Sequence, residues 1–267
     1  MLSASERHRV DGQKHVTDDG FVSHEVVGGD LDTGVLLLCD HARNALPPRY
    51  GSLGLDRAEF ERHIAYDIGA EGVTRALAER LGAPAVMSGF SRLLIDPNRG
   101  LDDPTLIMRL SDGAIIPGNR TIEAEERAHR IERYYRPYHA AIAALVANRL
   151  RAGRPLAIVS LHSFTPFWKG VPRPWQVAIL WAKDRSLAGR VLSRLAADPA
   201  LVVGENEPYA GGLEGDTLDQ HAITHGVPHA LVEIRQDLIA EKAGISAWSN
   251  RLADIVPAAV ESLRRGD

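Results

Sequence analysis

Short unbroken apolar runs alternate along this chain with longer segments whose apolar positions recur at helical spacing. "VLLLCD" (35–40), "PAVMSGF" (84–90), "RLLID" (92–96), "LAIVSLHSF" (156–164), "WQVAILWA" (175–182) and "HALVEIRQDLI" (229–239) read as strands. Between them, "RHIAYDIGAEGVTRALAERLG" (62–82) predicts a helix whose Val73, Leu77 and Leu81 repeat at four-residue steps before the stop at Gly82. Residues 122–153 predict a long helix that Pro137 kinks or divides, since proline removes an N–H and crowds the preceding turn. "SLAGRVLSRLAAD" (186–198) and the amphipathic stretch around "AWSNRLADIVPAAVESL" (247–263) complete the helices. Strands alternating with helices predict a mainly parallel sheet covered on both faces. No linker rich in Gly, Ser or Pro divides the chain and no internal repeat is visible, so residues 1–267 are read as one domain.

Composition narrows the partners. The formal net charge of −4 gives no reason to expect nucleic acid. The single cysteine, Cys39, excludes an intramolecular disulfide and any multi-cysteine metal cluster. No stretch has the length and apolarity of a signal peptide or a membrane span, so a soluble, cytoplasmic protein is expected.

The strands end in chemistry. "VLLLCDHARNALPPRY" (35–50) turns within one residue from an apolar run to Asp40, His41, Arg43 and Asn44. "LAIVSLHSF" delivers His162 in the same way, and "HALVEIRQDL" holds Glu233 inside an apolar run. Asp67 opens a helical segment between the two histidines, and "DPNRG" brings Asp96, Asn98 and Arg99 after another strand. In open α/β sheets ligands gather beyond the carboxyl ends of the strands, where the loops converge. Two histidines and a carboxylate delivered to one sheet edge are a usual ligand set of a catalytic zinc, and Glu233 then suits the base that takes a proton from water. Each residue alone has a plainer account: a hydrogen-bonded strand-end histidine, Asp67 as a helix N-cap, Glu233 paired with Arg235 or another arginine, "DPNRG" as a turn. Their shared location is what favours the metal.

The sequence of motifs "CDHA", "YDIGAEGVTRALAERLGAPAVMSGFSRLLIDPNRG", "LHSFTP", "NEPYAGG" and "ALVEIRQDLI" resembles the N-formylglutamate amidohydrolase family from about Leu36 to Leu238. The resemblance implies a three-layer αβα sandwich with a mainly parallel mixed sheet, phosphorylase/hydrolase-like and related to the zinc carboxypeptidases. It also implies zinc-dependent hydrolysis of an amide beside a carboxylate, with one Zn2+ per chain or another divalent metal in its place. By position, His41, Asp67 and His162 fall at the metal ligands and Glu233 at the general base. Asn98 and Arg99 resemble an Asn-Arg pair that holds a substrate carboxylate. The implied substrate is a small N-acyl amino acid, N-formyl-L-glutamate or a similar acidic one; a zinc peptidase, another acylamino-acid deacylase and a non-catalytic ligand-binding relative are the alternatives. One departure stands out: the familiar members follow the first histidine with Ser-Gly, and here Ala42, Arg43 and Asn44 follow it.

Further residues are candidates for the pocket. Arg92 and Arg235 are both candidate stabilisers of the oxyanion. "NEPYAGG" (206–212) reads as a loop with Tyr209 as a substrate contact, and His221 and His225, four apart, are two more. "FWKGVPRPW" (167–175) is placed at a pocket rim or beneath a loop, and His63, His129 and His139 are read as packing or helix-surface residues. No membrane partner is expected, and a homo-oligomer is left open.

Overall fold

The computed structural model describes residues 9–266. Eight strands form its main sheet: β1 (Gln13–Val16), β2 (Val22–Val27), β3 (Val35–Cys39), β4 (Ala85–Ser88), β5 (Ala157–Phe164), β6 (Val177–Leu180), β7 (Val203–Glu205) and β8 (His229–Arg235). Across the sheet they run β7-β6-β8-β5-β3-β4-β2-β1. The central four, β8, β5, β3 and β4, are parallel, while β6 runs against β8 and β2 against β4. The mainly parallel sheet read from the sequence is therefore the sheet observed, with antiparallel pairings toward both edges.

Alternation along the central strands separates two cores. Val35 and Leu37 of β3, Val159 and Leu161 of β5 and Val232 and Ile234 of β8 face a layer made by α1 (Ala70–Leu81), then by a second helix at Ser186–Ala196 and the C-terminal helix at Lys242–Arg265. Leu36 and Leu38, Ile158, Leu180 and Leu231 face the opposite layer, where Tyr138, Ile142 and Val146 of the helix Arg136–Arg151 pack with Leu218. A strand buried on both faces needs an apolar residue at every position, which is why "VLLLC" and "AIV" show no alternation. The architecture is a three-layer αβα sandwich. Among the described residues no helix is long and apolar enough to cross a membrane.

Three departures from the predicted elements bear on the site. The helix expected from residue 62 begins only at Ala70: Gly69 is left-handed at φ 82°, and a Cβ there would lie 2.2 Å from the Ile239 carbonyl oxygen, so residues 62–69 form an irregular turn. "RLLID" is a turn rather than a strand. The long helix is divided into Ala124–Arg130 and Arg136–Arg151 by a π-helical turn at Ile131–Tyr135, which places Pro137 in a first helical turn where no N–H is needed.

Candidate metal centre and active site

His41 lies two residues beyond β3, and His162 and Glu233 occupy directly paired positions of the parallel strands β5 and β8. Paired residues on neighbouring strands point to the same face, so both side chains rise on the face that carries Ser160 and Leu231. Asp67 reaches them from the turn before α1; its backbone N–H donates to the His41 carbonyl at 2.9 Å, which ties the two loops together. It is not a helix N-cap, since that position belongs to Gly69.

The three expected ligands are buried and converge. The Asp67 Oδ2 atom is 3.3 Å from His41 Nδ1 and 2.8 Å from His162 Nδ1, and the three potential ligand atoms lie within 4.8 Å of one another. Ligand atoms on a tetrahedral ion with bonds of about 2.1 Å stand about 3.4 Å apart, so a small adjustment admits one. The other ring nitrogens are held from behind: His41 Nε2 donates to Asp96 Oδ1 at 2.7 Å, and His162 Nε2 donates to Asp40 Oδ2 at 3.0 Å. With those bonds directed outward, Nδ1 of each ring and a carboxylate oxygen of Asp67 face one point, and without an ion the Nδ1 atoms share protons with that oxygen. Such a set of donors is held together either by protons shared with Asp67 or by a metal ion in their place, and carboxylates behind both imidazoles are the usual support of metal-bound histidine. This His–Asp–His cluster could hold a metal ion.

Charge around it tells the same way. Asp40, Asp67, Asp96 and Glu233 are all buried, with Arg92 beside them. Burial pushes the Asp67 carboxyl up, but the His41 and His162 rings outweigh it and hold it below the usual carboxylate range. Burial likewise opposes charge on His162, and its hydrogen bonds to Asp40 and Asp67 reverse the balance, raising its pKa well above the ordinary value. Asp40 also accepts from Tyr138 Oη at 2.9 Å, Thr217 Oγ1 at 2.6 Å and Ser160 Oγ at 3.1 Å. Burial would raise its pKa, yet His162, His41 and Thr217 keep it low.

Glu233 behaves differently. It is 7% exposed, and its Oε2 atom has no hydrogen-bond partner among the described residues. Burial, reinforced by the Asp67 charge and opposed by His162, His41 and Arg92, pushes its pKa up to about 7. The sequence allowed a pairing with Arg235, but Arg235 turns away and holds Asp237 with two hydrogen bonds of 2.8 and 3.2 Å.

A cavity of about 460 Å³ opens over these groups. Arg92, Asn98, Arg99, Tyr209, Trp168 and His63 help to line it. Arg92 is anchored through Nε and one terminal nitrogen on Asp96 Oδ2, at 3.0 and 2.7 Å, and its other terminal nitrogen is 3.6 Å from Asp67 Oδ1. Arg99 donates to Thr105 Oγ1 and to the Asn98 carbonyl, with Asp103 3.9 Å away, so it is steadied without a two-pronged carboxylate partner. Asn98 accepts from the Thr217 N–H through its side-chain oxygen. Tyr209, 44% exposed, accepts from Arg173.

Three sequence candidates are not brought to the cavity wall. Arg235 is spent on Asp237. His221 is buried against His139, its Nε2 2.8 Å from His139 Nδ1. His225 is exposed on a separate 3-10 turn, because the helix that was to carry both histidines spans only Thr217–His221. Conversely, the reading of His63 as a packing or helix-surface residue missed a residue that lines the cavity, and the partnerships of Asp40 and Asp96 were missed too. Asp40 was visible as a charge directly before His41; nothing local says which ring it holds.

With this geometry in view, the comparisons are specific. Residues 33–240 match the N-formylglutamate amidohydrolase family. Gene product Atu2144 from Agrobacterium tumefaciens is 34% identical, with a TM-score of 0.86 over 93% of this chain and 99% of its own. An N-formylglutamate amidohydrolase from Ralstonia eutropha JMP134 is 22% identical, with a TM-score of 0.66 over 88% of this chain and 95% of its own, a likeness of fold. No curated protein matches.

Proposed function

We propose, from the premise that this chain belongs to the N-formylglutamate amidohydrolase family, that its cleft hydrolyses the amide of an N-acyl amino acid with one Zn2+, held by His41, Asp67 and His162. The observation that carries the reading is Glu233: a buried carboxylate, one oxygen of which has no hydrogen-bond partner among the described residues, beside a His–Asp–His cluster that could hold a metal ion. Burying such a group costs several kcal/mol, and proteins keep that cost where a proton must move.

The bound ion would polarise the amide carbonyl and lower the pKa of water in the cleft. Glu233 takes a proton from that water and delivers it to the leaving amine, a double role suited to a carboxyl near neutrality. Asp96 and Asp40 fix the ring orientations of His41 and His162. Arg92, rigid on Asp96, directs its remaining N–H groups to the oxygen that gains charge. Arg99 reads the carboxylate of the substrate with Asn98 beside it, using the planar fork that lysine lacks. With N-formyl-L-glutamate the products are formate and glutamate.

The test is formate release from N-formyl-L-glutamate by zinc-loaded protein, compared with Glu233→Gln. Retention of zinc and substrate binding with loss of about 100-fold or more in kcat is expected. Normal turnover by the variant removes Glu233 from the chemistry.

A further inference from the structure

Leu231 precedes Glu233 by two residues on the same face of β8, and Leu180 of β6 is its directly paired neighbour. Both are nearly closed to solvent and both line the cavity, so they make an apolar floor immediately beside the candidate base. Above that floor the same cavity is walled by Trp168, from the hairpin that follows β5, and by Leu213, from the loop that follows β7. These two are 41% and 45% exposed although they are large and apolar. The wall belongs to the β5, β8 and β6 side of the sheet, whereas Arg92, Asn98 and Arg99 come from the segment after β4. The candidate ligands come from between: His162 on β5 and His41 just beyond the end of β3. Arginines thus stand on one side of the candidate scissile position, and these four apolar side chains on the other, where Thr165 and Asp216 also reach the lining and the Arg173 guanidinium lies 5.4 Å from the Trp168 ring.

A formyl group is a single carbon and has no use for such a wall. The cleft of about 460 Å³, which also takes in the candidate metal ligands and the arginines, has room for an acyl group larger than formyl. We propose that the wall of Leu180, Leu231, Trp168 and Leu213 receives the acyl part of the substrate, and that the preferred substrate is an N-acyl amino acid whose acyl group is an apolar chain or ring of several carbons. The inference rests on the reading above, in which Arg99 holds the amino-acid carboxylate and so directs the acyl group to the opposite side.

The experiment is a series of N-formyl-, N-acetyl-, N-butanoyl-, N-hexanoyl- and N-benzoyl-L-glutamate on zinc-loaded enzyme, with binding of the same series to zinc-loaded Glu233→Gln measured by calorimetry. Each added methylene is expected to raise kcat/KM, and affinity for the variant, about fourfold until the wall is filled. Trp168→Ala and Leu213→Ala, both at exposed positions, should each lower the hexanoyl-to-formyl ratio of kcat/KM by about tenfold. Highest activity on the formyl compound, with a fall along the series, overturns the inference and leaves the amidohydrolase reading intact. Hydrolysis of none of the series, with affinity still rising with chain length, sustains the apolar site and sinks the amidohydrolase reading. Affinity independent of chain length overturns the inference whatever the rates.

Discussion

Glu233→Gln should do two opposite things at once. The substitution keeps the shape of the side chain and removes its ability to ionise. In the folded protein the carboxyl titrates near 7 rather than at its ordinary 4.5, chiefly because it is buried. Its folded pKa lies above its unfolded one, so the folded state binds the proton more tightly. Stability is therefore lost as pH rises from about 4.5 to about 7, and the full cost is carried above that. Linkage puts this cost at about 3 kcal/mol at pH 8 and under about 1 kcal/mol at pH 5. Equilibrium urea unfolding of metal-free protein, in chelator, should accordingly find the variant more stable than wild type by about 3 kcal/mol at pH 8, with most of that advantage gone at pH 5. The same variant loaded with zinc should have lost its turnover. An advantage equal at both pH values would mean that ionisation of Glu233 costs the fold nothing, and the argument from its burial to its role would collapse.

Three further outcomes follow from the same geometry. His41→Ala and His162→Ala should each lose zinc while staying folded, and Asp40→Asn and Asp96→Asn should weaken zinc affinity by about 10- to 100-fold in competition titrations; full occupancy in both histidine variants would dismiss the ligand set. Arg99→Ala should lower kcat/KM by about 10- to 100-fold on a substrate with a free carboxylate and far less on its carboxamide, with Arg99→Lys recovering part; an equal loss on both would show that Arg99 does not read the carboxylate. His139 and His221 are held neutral by burial, with pKa values lowered to about 4 and about 3, so the unfolded chain takes up protons first and stability should decline as pH falls from about 6.5 toward 4. Replacing both with Gln should flatten that part of the stability profile, and an unchanged slope would assign it elsewhere.

His41, His162 and Glu233 were legible as candidates because a polar residue at the end of an apolar strand run, or inside one, is conspicuous, and the parallel strand order brings such positions to one place. Asp67 was legible as a candidate, but its setting was misread: the apolar period continues back to Ile64, and only the positive φ of Gly69 stops the helix short of it. β1 and β2 escaped notice because "QKHV" is exposed throughout and "VSHEVV" is broken by a histidine and a glutamate. The roles of Asp40 and Asp96 were out of reach for another reason. Asp96 finds His41 at a separation of 55 residues and Asp40 finds His162 at 122, and pairings of that range are set by sheet order rather than by any local pattern. His221 and His225 look alike in sequence spacing and part company only because the helix ends at His221.

The reversed direction of β6 has a consequence for how this molecule can change over time. Because β5 runs toward the carboxyl edge and β6 runs back from it, the segment 165–176 leaves the sheet and re-enters it on the same side. Its hairpin, with Phe167 and Val171 largely in solvent and Trp168 at the cavity, hangs from two anchor points on the same edge of the sheet, one strand apart with β8 between them. Lengthening, shortening or resurfacing such an appendage costs little in chain entropy and disturbs no helix–sheet packing. The scaffold therefore allows one cuff of the cleft to be exchanged for another while the candidate site residues beneath it stay where they are.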